Sequence, residues 1–251
     1  MADHVHKIPS ILHLCPDYIV VDKPFDTPIN SEDPHMVSVE TLLSKYYPHL
    51  RDPSVKHGFR FQHRLDLATS GVLCLCRTKK SAGKMFREFQ KRSVLKHYIA
   101  LVYGHLESKT QTVEVAVGED SSVRDIHKMC TSDSESCINP REAITEITVL
   151  ETGTYNDQPA TKVLLRPHTG RPHQLRVHCD HIGHRIVGDY MYSNRQDTLP
   201  YRMMLHALRL RFNELDILSK DPFTSDKDEL WKVTDTINTY NNICTSESSF
   251  P

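Results

Sequence analysis

Three groups of residues in this chain have types and spacings that chemistry could use. The first is Gln62-His63-Arg64-Leu65-Asp66-Leu67-Ala68-Thr69-Ser70-Gly71, a single carboxylate among cations, followed by a turn-forming Thr-Ser-Gly. The segment has no second carboxylate, so it does not resemble the paired acids of glycoside hydrolysis. It leaves two readings open, a lone nucleophile or a structural Asp66 held in a turn or an ion pair. The second group runs from Arg166 to His184 and on to Arg185-Ile-Val-Gly-Asp189. Pro172 suits the first turn of a helix and Gly183 its end, with Leu175, Cys179 and Ile182 as the buried stripe. His173, Arg176 and Asp180 then share another face, and an arginine on a fixed helix can hold a carboxylate through two parallel hydrogen bonds. The third group is His173, His178, His181 and His184 beside Cys179 and Asp180. One-turn histidine spacing can bind zinc, which makes a metal-dependent hydrolase an alternative, although no HExxH or CxxC completes a ligand set.

These residues need elements to position them. Tyr18-Ile-Val-Val-Asp22 reads as a buried strand stopped by Lys23-Pro24, and Val39 to Tyr46 has helical spacing. Val72 to Cys76 and Tyr98 to Tyr103 are apolar runs of strand length. Between them Lys79 to Arg92 is amphipathic, with Ala82, Met85, Phe86 and Phe89 on one face and Lys80, Lys84, Arg87 and Lys91 in a stripe on another. Such a stripe is either a solvated helix face or a row of phosphate contacts. Further strands are expected over Val113 to Val117, Ile144 to Leu150, Thr161 to Leu165 and Leu208 to Phe212, the last with its arginines on one face. Residues 119–141, rich in Ser, Asp and Glu, read as a long exposed loop or insertion. The polar end from 233 to 251 reads as a flexible tail. The expected organisation is an extension over 1–11, a catalytic domain over 12–232 and that tail.

Composition narrows the classes. The chain has 251 residues, 38% of them hydrophobic, with seven scattered cysteines and no CxxC, the pattern of reduced thiols. No run approaches the roughly 18–20 apolar residues of a membrane span, and the N-terminus lacks secretory or mitochondrial character. The cytoplasm or the nucleus is the default expectation. Lys plus Arg number 31 against 32 Asp plus Glu, but the charge is segregated. Residues 56–96 hold eleven cations against two acids, and 162–211 hold nine against three. Two basic blocks of this kind suit an RNA surface if the fold brings them to one face.

Together the first two segments resemble the RluA-type pseudouridine synthase family. His63 to Gly71 carries its H-R-L-D-x-x-T-S-G, and Thr169 to His178 with Gly183 to Asp189 carries its T-G-R-x-H-Q-L-R-V-H and G-H-x-I-V-G-D. Tyr18 to Pro24, Lys96 to Gly104 and Leu205-His206-Ala207 match more weakly, in the right order. Within the family the chain is most similar to the animal RNA pseudouridylate synthase domain-containing proteins, and no N-terminal S4 RNA-binding module is expected. One departure falls after Pro24, where the family usually has a small residue and glycine and this chain has Phe25-Asp26.

The resemblance implies an α+β pseudouridine synthase fold, with a bent, mixed and mostly antiparallel sheet, flanking helices and a central RNA-binding cleft. It makes Asp66 the catalytic aspartate, Tyr98 the tyrosine that lies against the uracil and takes its C5 proton, and Arg176 the partner of the aspartate. Arg64 would help fill the place of the extruded nucleotide. His63, Thr69, Arg171, His173 and Gln174 are expected to face RNA, with Lys80, Lys84, Arg87 and Lys91 on phosphates. Isomerisation of uridine to pseudouridine needs neither redox chemistry nor a group donor, so no cofactor and no metal are expected. RNA is the expected partner, with no membrane and a monomeric state. A catalytically silent RNA-binding module is the remaining alternative. Replacing Arg176 by methionine is expected to spare the fold.

Overall fold

The structure is a computed structural model that describes residues 7–33, 35–123 and 127–247. The first elements are β1 (Ser10–Leu14), β2 (Tyr18–Lys23), α1 (Val39–Tyr46), β3 (Arg60–Phe61), β4 (Ser70–Cys76), α2 (Lys79–Gln90) and β5 (Leu95–Tyr103). There follow β6 (Thr110–Val113), β7 (Val117–Asp120), β8 (Met129–Thr131), β9 (Cys137–Arg141), β10 (Thr145–Tyr155) and β11 (Gln158–Pro167). The chain ends with α3 (Gln174–His181), β12 (Leu205–Phe212), β13 (Leu215–Leu218), β14 (Trp231–Thr236) and α4 (Tyr240–Glu247). The class is α+β, with mostly antiparallel pairing. Two compact units result, Met1–Lys96 with His206–Lys220, and His97–Leu205 with Asp221–Pro251.

In the first unit β2 runs antiparallel to β1 and β4, and β12 lies parallel to β4. Every residue of β4 is buried, which is why Val72 to Cys76 reads as an unbroken apolar run rather than an alternating one. One face packs Val20, Val72, Cys74 and Cys76 against Ala82 and Met85 of α2, together with Leu210 and Phe212 of β12. Thr78 starts α2 through a reciprocal capping box with Ser81, and Arg92 follows it in the left-handed region at φ 60°. The helix therefore ends at Gln90, two residues before the sequence pattern does. Gly71 has φ +110°, and a Cβ there would meet the Ala207 carbonyl oxygen at 2.2 Å, so the parallel contact between β4 and β12 requires glycine.

In the second unit β11 pairs antiparallel with β5 and β10, and β10 also takes β6 and β14. A second, three-stranded sheet runs β8-β7-β9.

Several expectations change. The strand expected over Val113 to Val117 is two strands in different sheets, β6 and β7, with Glu114 to Ala116 in neither. Residues 119–141 are not a loop: they supply most of the small sheet, with 124–126 outside the described residues. The domain begins at β1, two residues before position 12. The end of the chain is structured at least to Asn238. The fully buried Trp231 opens β14, and the backbone N–H groups of Ile237 and Asn238 both donate to the Leu150 carbonyl. The N-terminal residues used to judge targeting lie outside the described residues up to His6. Among the described residues no helix is long and apolar enough to cross a membrane.

Candidate active site

Asp66 sits half-buried in the loop between β3 and β4, flanked by exposed Arg64 and Leu67. The loop is braced from beneath. Lys23 at the end of β2 is completely buried, and its Nζ donates to the carbonyls of Thr27 (2.6 Å), Pro24 (2.9 Å) and Leu67 (2.9 Å). The Thr27 N–H reaches the same Leu67 oxygen, and the Thr69 N–H closes a turn on the Asp66 carbonyl. On the far side of the turn, Ser70 Oγ lies 2.7 Å from His206 Nδ1, while His206 Nε2 lies 2.6 Å from Ser219 Oγ. A buried cation and a buried imidazole thus fix the backbone on both sides of the carboxylate.

The departure at Phe25-Asp26 leaves the brace intact. Asp26 has φ +50°, the left-handed conformation that glycine adopts freely and that aspartate tolerates better than most residues.

The other sequence-selected residues of this unit divide by environment. Lys80, Lys84 and Arg87 of α2 and Lys91 at its C-cap are all exposed, and none is in an ion pair among the described residues. Thr69, expected to face RNA, is only 2% exposed. His63 stacks on Phe89 at 5.2 Å between ring centroids, and its Nε2 accepts the Cys74 N–H at 2.9 Å. Burial first, then the charge of Lys96, pulls the His63 pKa down to about 4, so the ring is neutral with its proton on Nδ1. Lys96 is itself pulled down to about 8 by burial and by Arg92.

In the second unit Arg176 lies on α3, 6% exposed, with Nε 2.8 Å from Asp189 Oδ2 and Nη2 2.9 Å from Asp189 Oδ1. The Tyr192 ring faces the guanidinium at 4.9 Å. Sequence reasoning placed Asp189 in a motif but gave it no partner. Gly188 before it has φ +76°, and a Cβ there would meet the Arg202 carbonyl oxygen at 2.1 Å, so the glycine sets where Asp189 stands.

Two readings of α3 are corrected. Pro172 lies in a turn before the helix, and His173, at φ 52°, precedes the first helical residue, Gln174. Gln174, expected to face RNA, is 3% exposed and its amide is fully used within the fold. Its oxygen accepts from Thr169 Oγ1 and the Arg171 N–H, and its nitrogen donates to the Ile144 carbonyl and Thr145 Oγ1. His173 Nδ1 lies 3.1 Å from the Tyr192 hydroxyl, and Arg171 Nε donates to the Glu142 carbonyl. Tyr98 is half-buried on β5, opposite Leu165 of β11.

The histidines do not assemble as ligands. His178 is buried, with Nε2 donating to the Val115 carbonyl and Nδ1 beside Thr145 Oγ1, and burial lowers its pKa. His184 Nδ1 donates to the Tyr103 carbonyl, and no cluster of three or more metal-ligating side chains forms among the described residues.

The sequence and the α+β fold both match one family. A model described as RNA pseudouridylate synthase matches residues 17–181. The chain belongs to that family, and is an isomerase acting on RNA. It is 46% identical to an RNA pseudouridylate synthase domain-containing protein 1 from Danio rerio, over 88% of this chain and 78% of that one. It is 34% identical to the dual-specificity RNA pseudouridine synthase RluA of Pasteurella multocida, over 81% of this chain and 86% of the relative. The solved structure of human RNA pseudouridylate synthase domain containing 1 superposes with a TM-score of 0.88 at 35% identity, covering 100% of this chain and 99% of that one.

Proposed function

We propose that Asp66 is the nucleophile of uridine isomerisation in RNA, with Tyr98 and Arg176 as its helpers. The observation that carries this reading is the brace under the Asp66 loop. A buried lysine spends its three donors on backbone carbonyls, one of them next to the carboxylate, which suits a group that must be aimed rather than a surface acid.

Target uridines are stacked, so the base is first extruded at a cost of a few kcal/mol, which exposed Arg64 offsets by occupying the vacated space. An Asp66 oxygen bonds to C1′ as the C1′–N1 bond breaks and the electron pair leaves with uracil. The uracil turns, C5 attacks C1′, and the Asp66 oxygen departs. The Tyr98 oxygen takes the C5 proton as its own hydroxyl proton passes to N1, directly or through water, so atoms and charge balance. Arg176 supplies a fixed positive charge for the step in which charge moves between sugar and base. Lys80, Lys84, Arg87 and Lys91 meet the phosphates.

The test is tritium release from RNA labelled at C5 of uridine, run beside an RNA-binding measurement on Asp66→Asn. The variant is close to isosteric and should bind RNA while its release falls to background. Turnover at the wild-type rate would remove Asp66 from the chemistry. Binding by the wild type with no release from any cellular RNA pool would show a silent module instead.

A further inference from the structure

Arg176 has more structure around it than a partner for Asp66 requires. Its guanidinium edge is held by both oxygens of Asp189, and Asp189 is 1% exposed. Asp189 Oδ1 also accepts the Tyr192 N–H at 3.2 Å, which ties Tyr192 to the same carboxylate. The Tyr192 ring lies over the guanidinium face at 4.9 Å. That ring is fixed in turn: its hydroxyl accepts from the Met129 N–H and donates to the Met129 carbonyl, both at 3.1 Å, with His173 Nδ1 at the same distance. Edge and face are therefore both set, and a planar cation gripped on edge and face has little freedom to turn or slide.

A buried ion pair alone is weak evidence of anything but a fold that accommodates charge. Two features go beyond that. The carboxylate uses Nε and Nη2, the side-on fork, which fixes the plane of the guanidinium as a single hydrogen bond would not. The aromatic face then blocks rotation out of that plane, and its hydroxyl is held by a separate sheet.

We propose that Asp189 and Tyr192 are positioning residues that fix the guanidinium plane of Arg176 for the isomerisation, Asp189 from its edge and Tyr192 from its face. Neither touches the substrate in this account; both act through Arg176. The inference rests on the role given to Arg176 above.

The experiment compares kcat, KM and RNA affinity for Asp189→Asn, alone and in an Arg176→Lys background, well below each variant's thermal midpoint. Asparagine keeps the shape and one acceptor but loses the charge and half of the fork. Positioning predicts that kcat falls about 100-fold, the scale of a misplacement near 1 Å, while KM and RNA affinity change by less than about threefold. It also predicts that Asp189→Asn costs less than about twofold more once Arg176 is lysine, because the fork it serves is gone. Wild-type kcat for Asp189→Asn, or a full additional loss in the lysine background, overturns the proposal. Should Asp189→Asn fail to fold, Tyr192→Leu decides, since it leaves the carboxylate in place and removes the ring over the guanidinium, together with its hydroxyl contacts to Met129 and His173. A kcat loss of about tenfold at unchanged RNA affinity is expected, and an unchanged kcat overturns the proposal. Asp66→Asn runs in parallel. If it retains turnover, the assignment of Asp66 fails; if it is inactive while Asp189→Asn is wild-type, only the positioning role fails.

Discussion

The Nζ of Lys23 and the carbonyl oxygen of Leu67 are 2.9 Å apart across 44 residues of sequence, and they join the end of β2 to the residue that follows the candidate nucleophile. The lysine is fully buried and has two further carbonyls as partners, so its cation replaces a hydration shell with fixed backbone dipoles.

Lys23→Met should therefore be costly twice over. Three carbonyls lose a charged donor; that of Leu67 keeps the Thr27 N–H, while each buried group left unsatisfied costs roughly 1–3 kcal/mol, and the Asp66 loop loses its floor. The expected result is a thermal midpoint lower by several degrees and a fall in kcat that persists at temperatures where the variant is folded. A variant of normal kcat with only a lower midpoint would confine Lys23 to stability.

Arg176→Met should weaken the fold, because Arg176 is forked to a buried carboxylate that the sequence did not reveal. Removing the guanidinium strands the buried Asp189 carboxylate, and breaking such a pair costs about 3–5 kcal/mol. Arg176→Met combined with Asp189→Leu should recover most of that loss, because an apolar pair of similar volume needs no solvation, yet it should remain inactive. Equal midpoints for the single and double variants would show that the stranded charge is not the cause.

His63 gives stability a pH dependence of known sign. Its folded pKa of about 4 lies below the ordinary value of 6.5, so between those pH values the unfolded chain binds the proton that the folded chain refuses. Stability from this group is fully present above about pH 6.5 and is lost as pH falls toward 4, to roughly 3 kcal/mol at most. His63→Gln keeps an acceptor for the Cys74 N–H and does not titrate, so its midpoint should fall less steeply over that window. An identical slope would sink the assignment.

The four exposed cations of α2 predict a salt effect. Lys80→Glu with Lys84→Glu should weaken binding to RNAs of unrelated sequence, and should reduce the slope of log affinity against log salt by about 1.5. An unchanged slope would return the stripe to ordinary solvated surface.

Much of this was legible in local sequence. Val39–Tyr46 is marked by its helical spacing, β2 and β4 by continuous apolar runs, and the Asp66 segment by a lone carboxylate among cations. What stayed hidden depends on pairings the chain makes at a distance. Asp189 is 13 residues from Arg176 and on no regular element, so periodicity cannot join them. Lys23 and Gln174 look like surface residues by type, and only their three and four internal partners explain their burial. The strands of the small sheet are three to five residues long, too short for alternation to emerge from a polar background. β14 presents five exposed residues after Trp231, so it reads as tail although one edge pairs with β10 around an irregularity at Thr234.

The contact between Met129 and Tyr192 ties segment length to chemistry. The peptide of Met129 closes on the Tyr192 hydroxyl from both its N–H and its carbonyl, so a rung of the β7–β8–β9 sheet doubles as a clamp on the ring that faces Arg176. A designer wishing to shorten this enzyme, or to splice a tag into it, has two places of unequal risk. The turn after β8, over 132–136, is anchored at Ser136 to Ser121 and Asp120, and added chain should be tolerated best at its exposed residue Glu135. The residues of β8 cannot be excised without releasing the tyrosine.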